Sequence, residues 1–368
     1  MAETLHLIEP TLADAAGHGH ALVLALAQAA APDCEVQVWA AREFRSAWTG
    51  PGRLHAHFSR GWRRPQAFAL YRRLLREPGR LLITTAGTTD LLLAAWAAPG
   101  RLGPGKCHAF VHWLNARESK RRLLTRLARR QPHLQILAPT DSVARFFRDC
   151  GFDAVAVPYP LAADARPAAS QAGTFDHLLV AGGARLDKGF DCIVELAELM
   201  AQRGLDWPLT IQVSREERHR DDAALTQWIA RLRACKLPRL TLREDTPSPA
   251  DYRRLFDGAV VLQPYRPGTF ADRVSGVTLD ALAAGAPVIA TDHTWMARLV
   301  QRFDAGVVLQ ERTPQALIAA IERVLADHAA YAQRALQAAA QVRAEHSARP
   351  LIDQVLGRAK HADTAGPT

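Results

Sequence analysis

Short, wholly apolar runs recur along this chain, separated by longer stretches in which apolar residues return every third or fourth position. Residues 5–8, 36–40, 81–85, 107–111, 136–138 and 155–157 in the first half read as strands, as do 178–180, 209–213, 239–242, 259–262 and 288–290 in the second. Apolar at almost every position, such runs suit strands covered on both faces, the habit of parallel sheets flanked by helices. Alternation with amphipathic helices predicts an α/β chain with two doubly wound, Rossmann-like sheets. The 368 residues are too many for one ordinary core. Residues 158–174, rich in Pro, Ala and small polar side chains, read as an interdomain connection. The expected division is a first domain over 1–160, a linker over 161–174 and a second domain over 175–345.

The stretch from Ala259 to Asp292 is the most informative. A Val-rich strand ends before Pro264, Pro267 and Gly268, and Ser275 stands where a helix N-cap belongs. Leu279, Leu282 and Ala283 make the inward face of that helix, and Gly285 followed by Pro287 closes it. A loop running from a strand into a helix N-terminus is a natural anion site, because the first amides are unpaired and the dipole favours negative charge. Gly276 in the first turn lets a ligand approach the backbone of Ser275, Gly276, Val277 and Thr278 closely. Asp272 before that turn and Asp280 after it can border the same pocket. Carboxylates repel phosphate and accept from hydroxyls, so the combination suits a ligand carrying both phosphate and sugar. A blander reading makes Asp280 a helix-stabilising acid and Asp272 a loop acid.

A second strand-to-helix connection reads Gly182-Gly183-Ala184-Arg185-Leu186-Asp187-Lys188-Gly189. The glycine pair alone is a weak signal, since the full dinucleotide fingerprint is missing. Arg185 and Lys188 strengthen it, because fixed cations neutralise a diphosphate and are disfavoured at a helix start unless an anion sits there.

In the first half, residues 9–20 read as a loop leading into an apolar helix over 21–30, with Gly17, His18 and Gly19 at its mouth. A turn with solvated histidines fits them equally well. His112 ends the strand-like run 107–111, and ligands of open α/β sheets bind beyond the C-terminal strand ends. A structural histidine fits that position too.

The formal net charge of +9 is unevenly placed: residues 1–160 hold 21 Lys/Arg against 12 Asp/Glu, whereas the remainder holds 25 of each. The asymmetry points to an anionic partner for the first half only. Two segments carry it. Between Arg60 and Arg80, Trp62, Phe68 and Tyr71 interleave with arginines, a pattern open to nucleic acid or to a membrane interface. Residues 117–130 contain seven Lys/Arg and one Glu, with Leu123, Leu124 and Leu127 on one helical stripe, which suits an anionic leaflet or an ordinary surface helix. The five cysteines form no metal-type pair and read as reduced core thiols of a cytosolic protein. The N-terminus has no basic region of a signal peptide, and no apolar run reaches the length of a membrane span.

The acid pair Asp272 and Asp280, separated by seven residues around the Ser275 to Thr278 turn, resembles the signature of retaining nucleotide-sugar glycosyltransferases of the GT-B fold, group 1 or family 4 type. That family has Glu at both positions and usually small residues where Arg273 and Ser275 stand. The resemblance implies that Asp272 holds hydroxyls of the donor sugar, that Asp280 holds the ribose, and that the amides of 275–278 meet phosphate and sugar. It implies further that Arg185 and Lys188 hold the pyrophosphate beside Gly183, that His112 contacts the donor sugar, and that the loop of Gly17, His18 and Gly19 faces donor phosphates and acceptor. Residues 244–249 resemble the loop that receives the base, and residues 346–368 would form a final helix crossing back to the first domain, with a tail.

The function so implied is transfer of a hexosyl group from a UDP- or GDP-sugar to a hydroxyl of a sugar or lipid-linked acceptor, with retention, in polysaccharide or lipopolysaccharide assembly. The enzyme would be cytoplasmic and peripheral on an anionic membrane, with no cofactor beyond the donor. No two Asp residues flank a single residue, so the metal-binding motif of the other main glycosyltransferase architecture is absent. No His/Cys cluster has zinc spacing either, so no metal is expected. A nucleotide-sugar epimerase of the same fold, a basic nucleic-acid-binding protein and a transferase-like scaffold without turnover are the rivals. The acid pair disfavours nucleic acid as a partner.

Overall fold

The computed structural model describes residues 3–15, 17–44, 46–114, 118–161, 174–214, 222–245 and 247–359. Contacts divide the chain into one unit of Met1–Ala163 with His346–Thr368 and another of Asp164–Glu345. Most of the connection expected over 161–174 lies outside the described residues.

The first unit contains β1 (Thr4–Ile8), β2 (Glu35–Ala41), β3 (Arg53–Phe58), β4 (Arg80–Ile83), β5 (Cys107–Phe110), β6 (Leu134–Ala138) and β7 (Ala154–Ala156). They form one parallel sheet in the order β3-β2-β1-β4-β5-β6-β7. In register, Leu7 of β1 lies opposite Val38 on one side and Leu82 on the other. Successive residues serve opposite faces. Ile8, Ile83, Ala109 and Ile136 pack beneath the helices Arg63–Leu74, Thr88–Ala97, Glu118–Arg130 and Asp141–Asp149, with Leu70, Leu91, Leu124 and Phe147. Leu7, Val38, Leu82 and Phe110 pack with Leu22 and Leu26 of the helix Gly17–Ala30 and with Leu351, Ile352 and Val355. The last three belong to the helix Arg349–Val355, tied to this unit by Arg349 on Asp33 at 2.6 Å and by Arg80 donating to the Val355 carbonyl at 2.9 Å.

Four local readings are corrected. Strand β3 was not expected, because RLHAHF is an edge strand whose polar side chains break the apolar run. The first helix begins at Gly17, so Gly17, His18 and Gly19 occupy its opening turn and not a preceding loop. In the basic helix, Leu124, Leu127 and Ala128 are buried but Leu123 is 38% exposed. One residue is a rotation of about 100°, so Leu123 leaves the inward stripe and stands among the arginines. Tyr71, read as part of an aromatic and basic surface, is wholly buried, whereas Trp62 is 68% exposed.

The second unit contains β8 (His177–Val180), β9 (Leu209–Gln212), β10 (Leu240–Arg243), β11 (Ala259–Gln263), β12 (Val288–Thr291) and β13 (Gly306–Leu309). The order is β10-β9-β8-β11-β12-β13, again parallel. Winding runs outward one way from β8 and the other way from β11. Those neighbours therefore form the switch point, beyond whose C-terminal ends such sheets bind ligands.

Candidate active site

Two connections leave the switch point of the second unit, and each is shaped by its sequence. After β8, Gly182 takes a φ of +83°, open to glycine with little strain, and its amide donates to the Gln212 side chain of β9 at 2.8 Å. Gly183 comes next, partly exposed, before the short turn Leu186–Lys188. Gly189, at φ +76°, starts the helix Phe190–Arg203; a Cβ there would stand 2.0 Å from the Pro264 carbonyl oxygen. That clash is with backbone, so only glycine lets the two connections meet. The Arg266 amide completes the seam by donating to the Asp187 carbonyl at 3.0 Å.

After β11, Ser275 caps the helix Gly276–Ala283 by accepting from the Thr278 amide at 3.4 Å. Thr278 donates its hydroxyl to Gln263 at 2.7 Å, and Gln263 donates to Ser275 at 3.3 Å. This buried polar network fixes the helix start on the end of β11. Tyr265, whose hydroxyl bonds to Ser275 and Gln263, is pushed up to about 12 by burial and stays neutral.

The cations gather at this seam. A Cβ on Gly182 would lie 3.0 Å from Lys188 Nζ and 3.4 Å from Val277 Cγ2, so the ammonium, the glycine turn and the helix start are immediate neighbours. Lys188 Nζ also lies 6.0 Å from the centre of the Tyr265 ring. Arg185 is only 6% exposed and grips Asp187 with two nitrogens, Nε at 2.8 Å. Arg273 approaches the same carboxylate at 3.7 Å. Burial pushes Asp187 up, but the Arg185 hydrogen bond, with Arg273 and Lys188 nearby, holds it below its ordinary value.

The two acids of the sequence pattern take different partners. Asp280, partly buried, accepts from the Tyr252 hydroxyl at 3.0 Å. Burial pushes its carboxyl up to about 7. Asp272 is exposed and pairs with Arg298 at 3.2 Å. Such a pair contributes about 0–1 kcal/mol, so a ligand hydroxyl can replace it at little cost.

In the first unit the C-terminal ends of β1, β4 and β5 carry a different set. His112 bonds through Nε2 to the Thr84 carbonyl at 2.8 Å and packs edge-on against Tyr159. A carbonyl only accepts, so Nε2 carries the hydrogen. The Thr84 hydroxyl donates to Glu9 at 2.8 Å, and Thr85 donates to the same carboxyl at 2.6 Å. Glu9 is fully buried and also accepts from the Thr11 amide at 3.2 Å. Gly19 opens onto clear space: a Cβ there meets nothing within 4 Å.

Gln263, Tyr252 and Glu9 are not among the candidates that the sequence offers. Gln263 and Glu9 each close an apolar run, AVVLQ and LIE, at the C-terminal end of a strand. A polar residue at that position was the available signal.

Residues 176–327 match the family described as glycosyl transferases group 1. The matched stretch lies within the second unit. No curated protein sequence matches the chain. Among solved structures, the chain is similar to sucrose-phosphate synthase from Thermosynechococcus elongatus, at 17% identity and a TM-score of 0.68 over 97% of this chain and 98% of that one. WaaG, a glycosyltransferase involved in lipopolysaccharide biosynthesis, matches at 15% identity and 0.67 over 96% of this chain and 100% of its own. Anabaena HepE, in complex with UDP and glucose, matches at 15% and 0.65 over 97% and 99%. At these identities the likeness establishes the fold: two Rossmann-like domains of the GT-B type.

Proposed function

We propose that the chain transfers a hexosyl group from a nucleotide-diphosphate sugar to an acceptor hydroxyl, with retention of configuration and without a metal ion. The observation that carries this reading is the meeting of Lys188, the Gly182 turn and the start of the helix Gly276–Ala283 at one switch point. Positive charge and unpaired amides stand together there, which is what a leaving diphosphate requires. Gly183 borders the turn, and the amides of Gly276 and Val277 supply the donors, while that of Thr278 is held by the Ser275 cap. Arg185 and Arg273 serve largely through Asp187, which locks the loop bearing Lys188. Asp280 accepts from the ribose and Asp272 from the sugar. A nucleoside diphosphate is itself a good leaving group, so no general acid is needed. UDP in the HepE structure favours a nucleotide donor.

For the first unit, Gly17, His18, Gly19 and His112 are assigned to the acceptor and the sugar's reacting end. The acceptor is a sugar or lipid-linked hydroxyl of bacterial-type polysaccharide or lipopolysaccharide assembly, a pathway in which WaaG also acts. The basic helix Glu118–Arg130, with exposed Leu123, docks on the anionic inner face of the cell membrane, leaving the enzyme cytoplasmic and peripheral. Among the described residues no helix is long and apolar enough to cross a membrane.

A thermal-shift panel of UDP- and GDP-sugars on wild type and Lys188→Ala tests the donor site. Stabilisation by one nucleotide series in wild type and none in Lys188→Ala is expected. Equal stabilisation of both proteins would overturn the assignment.

A further inference from the structure

Among the described residues of the second unit, helices cover one face of β8, β9 and β10 and leave part of the other face open. Leu178, Leu209 and Ile211 sit in the core with the helices Phe190–Arg203 and Ala223–Ala234. The opposite positions are His177, Thr210, Thr241 and Arg243, with Thr210 and Thr241 directly paired in register. Only the short helix Pro249–Arg254 comes between β10 and β11, and a pocket of about 520 Å³ remains between it and the sheet. A parallel sheet normally buries apolar residues on both faces. Here the sequences LTIQ and LTLR alternate, as strands with one wet face do.

The lining is cationic. Arg239, Arg243 and Arg254 contribute guanidinium groups, Thr210 and Thr241 hydroxyls. The two acids of the lining are engaged: Asp176 with His177 at 2.7 Å, and Asp251 with Arg254 at 2.9 Å and with the Ser248 hydroxyl at 2.6 Å. Two of the arginines hold weak contacts, Arg239 on the Asp206 carbonyl and Arg243 on the Asp245 carboxylate, each at 3.5 Å. Among the described residues Arg243 Nε is buried without a hydrogen-bond partner, a costly arrangement that an oxyanion would relieve. Asp176, Pro208 and Arg239 immediately precede β8, β9 and β10, and Arg243 ends β10, so the pocket runs along the open face of these strands, and its lining includes neither Gly182 nor Lys188.

We propose that this pocket binds the phosphate group of a small phosphorylated molecule, at a site separate from the donor site. Forked guanidinium groups and paired threonine hydroxyls suit a tetrahedral oxyanion, and the volume falls within the usual range of about 300–1,000 Å³ for small-molecule sites. The inference does not depend on the donor assignment.

Titration calorimetry with inorganic phosphate and with phenyl phosphate, against chloride at equal ionic strength, tests it on the full chain. Lys188→Ala is the background, so that phosphate entering the donor region is not counted. Saturable binding in Lys188→Ala, weakened at least about tenfold by adding Arg243→Gln or Arg254→Gln, is expected. Arg254 is exposed, so its variant keeps the test alive should Arg243→Gln fail to fold. Binding abolished by Lys188→Ala alone, binding indifferent to both arginine changes, or no saturable binding at millimolar phosphate would each overturn the proposal.

Discussion

The two sheets share a winding scheme, and each places its switch point between the first strand of its unit and the strand that starts the return, β1 with β4 and β8 with β11. The connections leaving those strands differ in charge. In the second unit the connection after β8 carries Arg185 and Lys188 around glycines at positive φ, and the helix after β11 is capped by a serine. In the first unit, β1 runs straight into buried Glu9, clamped by the hydroxyls of Thr84 and Thr85, with His112 on the Thr84 carbonyl. One edge is built to attract an anion; the other holds its charge inside and presents neutral groups. The comparison teaches that a shared scaffold fixes where a site lies, while the residues just past the strand ends decide what enters it.

The largest expected effect separates two cations of that anion-attracting edge. Lys188→Ala should lower kcat/KM on the order of 10²-fold, because the preorganised charge proposed to face the leaving diphosphate is lost. Its melting temperature should fall less than that of Arg185→Ala. Arg185→Ala should do the reverse in emphasis. The partner it abandons, Asp187, sits in a partly buried place, and breaking such a pair costs roughly 3 kcal/mol. Calorimetric unfolding beside steady-state kinetics would read both. Equal melting of the two variants would remove the distinction between a charge that meets ligand and one that holds the loop.

That distinction was not legible in the sequence, where Arg185 and Lys188 read as equivalent. The parallel sheets, the Ser275 cap and the helix closed at Gly285 were legible, because apolar runs, capping residues and glycine punctuation are local signals. The partners of side chains were not. Asp187 stands inside the quoted glycine-rich run, yet its grip on Arg185 depends on a turn that only the seam between Gly189 and Pro264 fixes. Tyr252 lies 28 residues from Asp280, and no pattern along the chain joins them. Edge strand β3 escaped for the opposite reason, since too little of it is buried to leave an apolar run.

Asp280 gives an effect of intermediate size and a definite sign. Burial raises its carboxyl from 3.8 to about 7, while the Tyr252 hydrogen bond works the other way. The folded chain therefore keeps a proton that the unfolded chain releases. Its contribution to stability is complete below about pH 4 and is lost as pH rises through about 7. Asp280→Asn should flatten that part of the stability profile. Tyr252→Phe should shift its upper end to higher pH, because the ionised carboxylate loses a donor. Nucleotide-sugar affinity should strengthen several-fold from about pH 6 to about pH 8, as the ionised group accepts ribose hydroxyls better, and the dependence should vanish in Asp280→Asn. A profile unchanged by both substitutions would detach this residue from the donor.

The smallest effect concerns the first unit's basic helix, where the contrast between the units becomes one of whole surfaces. Each arginine near an anionic leaflet contributes about 1 kcal/mol. Arg126→Ala should therefore weaken binding to vesicles containing anionic lipid about fivefold, and added salt should erase the difference. Leu123→Ser should lower binding in a way that salt leaves intact, since an exposed leucine acts by entering the interface and not by charge. Reversing Arg121, Arg122, Arg126 and Arg129 together should abolish the interaction in vesicle sedimentation. Arg121 and Arg122 are already paired, with Asp149 at 3.4 Å and Glu118 at 3.5 Å, so single changes there should matter less than at Arg126. If fourfold reversal leaves sedimentation unchanged, the excess charge of the first half has another partner. The asymmetry between the units would then have to be explained by the acceptor alone.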